Sequence, residues 1–200
     1  MHSYQDVRES HQIGGESRMA QHYFIGISIA APISEIADHF RSKYHLAERY
    51  KVIPHADDLH ITMRYIGELG EATKSMLEHS LQKIAEANTL FTTSVTGLSF
   101  FGSSSGPRVV YLSVEAVDAL EHLQRQIARR TESVLELEKD NRFVPHITIA
   151  KKRKTADKIQ LTKETIPPVQ IEIEGFTLFR IHPNVQPSYE PVAYFPLKKS

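Results

Sequence analysis

Two short segments of this chain read almost alike, Leu59-His60-Ile61-Thr62-Met63-Arg64 and Pro145-His146-Ile147-Thr148-Ile149-Ala150. Each alternates polar and apolar residues. As β-strands they place His60 and Thr62, and again His146 and Thr148, on one face, with Ile61, Met63, Ile147 and Ile149 on the other. The repeat reaches beyond the motifs. From 60 to 146 is an offset of 86 residues, and that offset also lays the strand-like run Tyr23 to Ile29 over Val109 to Glu115. The segment after each run is helical in pattern. Ile33, Ile36, Ala37, Phe40 and Tyr44 mark one apolar stripe and Leu120, Leu123, Ile127 and Val134 the other. Each half therefore reads strand, helix, then a strand carrying His-x-Thr, with no gap needed to align them.

A chain of 200 residues can bury a substantial core, and the internal match predicts two related lobes packed as one unit. Lys plus Arg and Asp plus Glu both number 24, so no global field attracts polyanions and any nucleic-acid contact is local. With no cysteine, disulfides, thiol catalysis and thiolate metal sites are excluded. No apolar run is long enough to span a membrane and no signal-peptide core is present, which predicts a cytoplasmic protein. Residues 1–18 are polar and aperiodic and read as a disordered leader, leaving 19–200 as a single domain.

Along the chain, a first strand over His22 to Ile29 precedes a helix ending near Tyr44, and His45 to Asp58 reads as loop. The first motif strand, Leu59 to Ile66, ends at Gly67 and Gly70, and an amphipathic helix with Leu77, Leu81, Ile84 and Ala85 follows. Phe91 to Phe101 and Arg108 to Val114 form a hairpin across the turn Gly102 to Pro107. A helix from Asp118 to Leu135 leads to the second motif strand, Val144 to Ala150. Pro167-Pro168 introduces a strand from Val169 to Arg180, and Val192 to Leu197 closes the chain. The fold class is α+β with mainly antiparallel sheets.

Of the eleven histidines, only His60 and His146 recur in a repeated context. An imidazole beside a hydroxyl on a polar strand face suits proton transfer and anion binding. Zinc sites draw three or four closely spaced ligands, which neither motif supplies. A serine triad lacks its Gly-x-Ser-x-Gly elbow. The run Gly102 to Gly106 has no Gly-Lys-Ser/Thr ending and precedes a strand, so it is a hairpin turn and not a phosphate loop.

The segments Leu59 to Glu68 and Phe143 to Lys151, with the opening Tyr23-Phe24-Ile25-Gly26-Ile27 and the closing Tyr189 to Leu197, resemble the 2H phosphoesterases. The LigT-like RNA 2',3'-cyclic phosphodiesterases are the most similar group. The resemblance implies a bilobal fold with two pseudo-symmetric sheets and a central cleft. It implies hydrolysis of a 2',3'-cyclic phosphate RNA end to a 2'-phosphomonoester, by a monomer, without cofactor or metal. It further implies His60 as proton donor, His146 as proton acceptor, and Thr62 and Thr148 on the phosphate oxygens. Lys151 stands where the family usually carries Arg, which loses a planar bidentate grip on phosphate. Ideal alternation turns Lys151 away from His146, so a bulge or a strand end is needed to bring it to the site, whereas Arg64 shares the His60 face. Both are expected on phosphate, with a surface salt bridge the alternative for Arg64. Lys151 to Lys154 either guide RNA or form a solvated turn, and Tyr23, Phe24 or Phe143 is available to stack on a terminal base. The competing functions are 2'-5' RNA ligation, action on small cyclic phosphates, and non-catalytic binding of RNA ends.

Overall fold

The computed structural model describes residues 21–139 and 142–199; the expected leader lies outside them. Among the described residues, nine strands and four α-helices follow one another. They are β1 (His22–Ser28), α1 (Ile33–Lys43), α2 (Leu46–Arg49), β2 (Tyr50–Val52), β3 (His60–Glu68), α3 (Glu71–Ala87), β4 (Phe91–Ser103), β5 (Gly106–Val114), α4 (Asp118–Leu135), β6 (His146–Arg153), β7 (Glu164–Ile173), β8 (Gly175–Ile181) and β9 (Tyr189–Pro196). A 3₁₀ turn, Ala56–Asp58, leads into β3.

The strands form one antiparallel sheet in the order β7-β4-β5-β6-β3-β1-β8-β9, with β2 added to β6. The two motif strands meet in its middle through the pair Ile61 and Ile147. Outward from that pair the halves run β3-β1-β8-β9 and β6-β5-β4-β7, which makes the expected lobes two four-stranded halves of one continuous sheet.

The helices cross over. In α1, Ile33, Ala37 and Phe40 are buried at four- and three-residue spacing, and the helix packs against β6. In α4, Leu120, Leu123, Gln124, Ile127 and Thr131 are buried, and that helix packs against β3 and α3. Each helix also grips the strand it covers. Arg41 Nε donates to the Ile149 carbonyl at 3.2 Å, and Gln124 Nε2 donates to the Met63 carbonyl at 3.3 Å. Met63 and Ile149 hold equivalent places three residues after their histidines, so each motif strand is buttressed at the same point by the helix of the other half.

Four expectations require correction. The stretch from His45 to Asp58 is not loop: it holds α2, β2 and the 3₁₀ turn, and Leu46 and Tyr50 are buried. The run around Pro167-Pro168 is two strands, with both prolines inside β7. That strand pairs only with β4, and an edge strand tolerates prolines that donate nothing to a ladder. The hairpin turn is shorter than expected, since Ser103 already pairs with Gly106.

The fourth correction concerns the repeat. Ser28 lies opposite His60 and Ser113 opposite His146, so β1 corresponds to β5 at an offset of 85, not 86. One extra residue separates strand from motif in the second half. In a strand a one-residue slip reverses every side chain, so the gapless alignment had paired opposite faces of β1 and β5.

Candidate active site

The geometry of the site follows from a bulge repeated in both motif strands. On β1, Gly26 pairs with Thr62 but Ile25 pairs with Arg64, leaving Met63 without an opposite number. On β5, Tyr111 pairs with Thr148 but Val110 pairs with Ala150, leaving Ile149 in the same position. A bulge inserts one residue and inverts the alternation beyond it. Two consecutive residues are therefore buried, Met63 with Arg64 and Ile149 with Ala150.

For the second strand the inversion does what the site requires. It returns Lys151 to the face of His146 and Thr148, opposite Val109 on β5 and Val52 on β2. For the first strand the same device overturns the expectation for Arg64. That residue shares the face of its partner Ile25, on the helix side, and is 8% exposed. Its Nη2 donates to the Glu138 carbonyl at 2.6 Å and lies 3.5 Å from Glu132 Oε1 on α4. Arg64 is thus turned away from the histidines. Tyr65 takes the place corresponding to Lys151, paired with Phe24 and accepting or donating a 2.6 Å hydrogen bond with His22 Nδ1.

With Ile61 facing Ile147 in antiparallel register, His60 comes opposite Thr148 and Thr62 opposite His146. Both imidazoles are oriented alike. His60 Nδ1 lies 2.7 Å from the Asp58 carbonyl and His146 Nδ1 lies 2.7 Å from the Val144 carbonyl, in each case two residues earlier. A carbonyl only accepts, so Nδ1 carries the proton of the neutral ring and the Nε2 lone pair is left for chemistry. The Thr62 hydroxyl donates to His60 Nε2 at 2.9 Å.

Aromatic rings wall each histidine. Phe24 lies 4.7 Å and Tyr189 5.1 Å from His60 between ring centroids, while Phe101 and Tyr111 both lie 5.1 Å from His146. Loss of water penalises the imidazolium and pushes His60 down to about 4, with Lys151 and His146 adding repulsion against the pull of the Asp58 carbonyl and charge. Burial lowers His146 as well, opposed by the Val144 carbonyl. Burial likewise lowers the Lys151 ammonium, and the Asp58 charge opposes the shift.

Gly26 makes room for this arrangement. A Cβ there would lie 3.0 Å from Phe24 Cε2 and 3.3 Å from His60 Cδ2. Of the expected stacking residues, Phe24 reaches the site, Tyr23 is in the core and Phe143 lines a cavity beside α4. Within the basic run, Lys154 Nζ donates to the Ala47 carbonyl and Arg153 to that of Asp157. Tyr189, Phe101, Tyr111 and Asp58 were not anticipated. Only the closing segment from Tyr189, which carried part of the resemblance, hinted at one of them.

Two partly desolvated imidazoles, each with Nδ1 on a backbone carbonyl, beside two threonines and a lysine can carry out acid–base work on an anion. The family model of the 2'-5' RNA ligase superfamily matches residues 27–184, and the chain belongs to that superfamily. A Bacillus subtilis protein named RNA 2',3'-cyclic phosphodiesterase is 30% identical, over 88% of this chain and 96% of its own length. A Geobacillus stearothermophilus protein of the same name is 27% identical over 88% of this chain, which spans only 57% of that longer relative. Among solved structures, E. coli LigT complexed with 3'-AMP superposes with a TM-score of 0.73 at 24% identity, over 90% of this chain and 99% of that one. The α+β class with a large antiparallel sheet is shared with it.

Proposed function

We propose that this protein hydrolyses 2',3'-cyclic phosphate ends of RNA to 2'-phosphomonoesters, with His60 and His146 as acid and base. The observation that carries the reading is the pair of His-x-Thr faces meeting at the Ile61–Ile147 pair, each histidine with its Nε2 free of the backbone. The names of the relatives supply the substrate class.

Water attacks phosphorus and gives a proton to His146 Nε2, while the bond from phosphorus to the 3'-oxygen breaks and that oxygen takes a proton from His60. The products are a 3'-hydroxyl and a 2'-phosphate. Each proton transfer is worth roughly 10²- to 10⁴-fold. Thr62, Thr148 and Lys151 hold the non-bridging oxygens as charge builds on them. The anionic substrate also supplies what His60 lacks in the free protein, a negative charge that favours the imidazolium, so His60 gains its catalytic proton as substrate binds. Arg64, on the opposite face, has no part in this step.

In this form the step draws on the two imidazoles alone for its proton transfers. The superfamily's description favours a second use of the same site, 2'-5' ligation, in which a 5'-hydroxyl replaces water.

The test is turnover of a short RNA ending in a 2',3'-cyclic phosphate, in EDTA, with the product assigned by its sensitivity to phosphatase and its chromatographic mobility. Conversion to the 2'-phosphate is expected. Absence of turnover by folded protein, or turnover only on restoring a divalent cation, contradicts the reading.

A further inference from the structure

We propose that Asp58 is a positioning residue for His60, its carboxylate clamping the connection between β8 and β9 so that the Tyr189 ring is held against the imidazole. The inference rests on the two-histidine reading above and extends it to a residue that touches no substrate.

Asp58 closes the 3₁₀ turn before β3 and is 3% exposed. Its backbone carbonyl accepts the His60 Nδ1 proton, while its carboxylate reaches across the sheet to the start of β9. Ser188 N donates to both carboxylate oxygens, at 3.0 and 2.7 Å, and Tyr189 N donates to Oδ1 at 3.1 Å. A buried carboxylate needs such donors, since leaving it unpaired is costly. Tyr189 then stands edge-on to His60 and to Phe24, 5.1 and 4.9 Å between centroids. One residue therefore fixes both the tautomer of the imidazole and the wall that keeps water from it.

The internal repeat separates the two tasks. Val144 occupies the place of Asp58 in the second half and also accepts its histidine's Nδ1 proton. The carbonyl bond thus serves both halves alike. The carboxylate has no counterpart at Val144, and the connection it ties down belongs to β8 and β9 alone. The clamp is an addition to one histidine and not a requirement of the strand geometry. The charged and titratable groups facing His60 are Asp58 from the preceding turn, Lys151 and His146 from β6, and Tyr189 from β9.

The experiment compares Asp58→Ala, Asp58→Asn and Tyr189→Ala in the full chain, each checked for folding by thermal melting. Steady-state kinetics on a 2',3'-cyclic mononucleotide are paired with an NMR titration of the His60 ring. In Asp58→Ala, kcat falls about tenfold or more, as a small misplacement of a catalytic group produces, with little change in KM. In Asp58→Asn the carboxamide oxygen in the place of Oδ1 still accepts from both N–H groups, while its NH2 group falls where Oδ2 stood, 2.7 Å from Ser188 N, so kcat is restored in part, above that of Asp58→Ala. The His60 midpoint rises toward its ordinary value in Tyr189→Ala, because water regains the ring while the Asp58 charge stays; in Asp58→Ala the same gain is opposed by loss of the carboxylate that favours the imidazolium, so the titration is read on Tyr189→Ala. If Asp58→Ala does not fold, Tyr189→Ala and Asp58→Asn carry the test. An Asp58→Ala that keeps wild-type kcat, an Asp58→Asn as impaired as Asp58→Ala, or a His60 midpoint unmoved by loss of the Tyr189 ring would overturn the proposal. Wild-type protein without cyclic phosphodiesterase activity would sink the functional reading instead, and the titration would still decide whether the Tyr189 ring shields His60.

Discussion

Ile61 and Ile147 face each other at the junction of β3 and β6, and that one pair puts each histidine across from the other strand's threonine. It is the local pseudo-twofold of the molecule. The crossed buttresses, Arg41 on the Ile149 carbonyl and Gln124 on the Met63 carbonyl, hold the two motif strands at equivalent points beneath it.

Arg64 is expected to matter for folding and not for phosphate. Replacing it by Met removes the bond to the Glu138 carbonyl and leaves Glu132 without this neighbour. Losing the hydrogen bond of a buried charged group costs roughly 2 kcal/mol, about 6 °C in melting temperature for a chain this size. Thermal melts beside kinetics check it: a stable variant with a raised KM would return Arg64 to the phosphate.

Lys151 is expected to show the reverse pattern. It lies on the site face by virtue of the bulge at Ile149, and burial makes its ammonium costly until an anion arrives. Lys151→Ala should weaken binding of a 2'-phosphomononucleotide about tenfold or more while leaving the melting temperature near that of wild type. Unchanged affinity by calorimetry would remove Lys151 from the site.

Stability should fall with pH in a window set by His60. Its folded value of about 4 lies below the ordinary value of 6.5, so between those limits the unfolded chain binds the extra proton. Stability is then full above about pH 6.5 and lost as pH drops toward 4, by roughly 3 kcal/mol. Urea melts of wild type and His60→Gln across that range should converge in their pH slope only above it; parallel slopes throughout would contradict the buried neutral imidazole.

The same depressed value predicts proton uptake on binding. Calorimetric titration of a 2'-phosphomononucleotide near neutral pH, in buffers of different ionisation enthalpy, should show net uptake that His60→Ala abolishes. Binding without protonation would mean that the anion does not charge His60.

Much of this architecture was legible in the chain. The His-x-Thr alternation placed His60, Thr62, His146 and Thr148 on common faces, and the apolar spacing of Leu120, Leu123 and Ile127 marked α4 over the residues it occupies. Alternation failed at the bulges because an inserted residue leaves no compositional mark. The burial of Arg64 beside Met63 is visible only once the register with Ile25 is known. The short β2 was missed because three residues against the end of β6 carry no period of their own. Pro167 and Pro168 misled because a proline breaks only a strand that must donate on both sides. Asp58 was invisible for another reason: its partners, Ser188 and Tyr189, are 130 and 131 residues away.

The most direct test of the two-histidine mechanism is the rate of a single turnover on RNA ending in a 2',3'-cyclic phosphate, in EDTA, for wild type, His60→Ala, His146→Ala and the double variant. Each single substitution should cost at least about 10²-fold, and the double variant should be little worse than either, since acid and base act in one step. Retention of near-wild-type rate by either folded single variant would show that the reaction does not run through the pair.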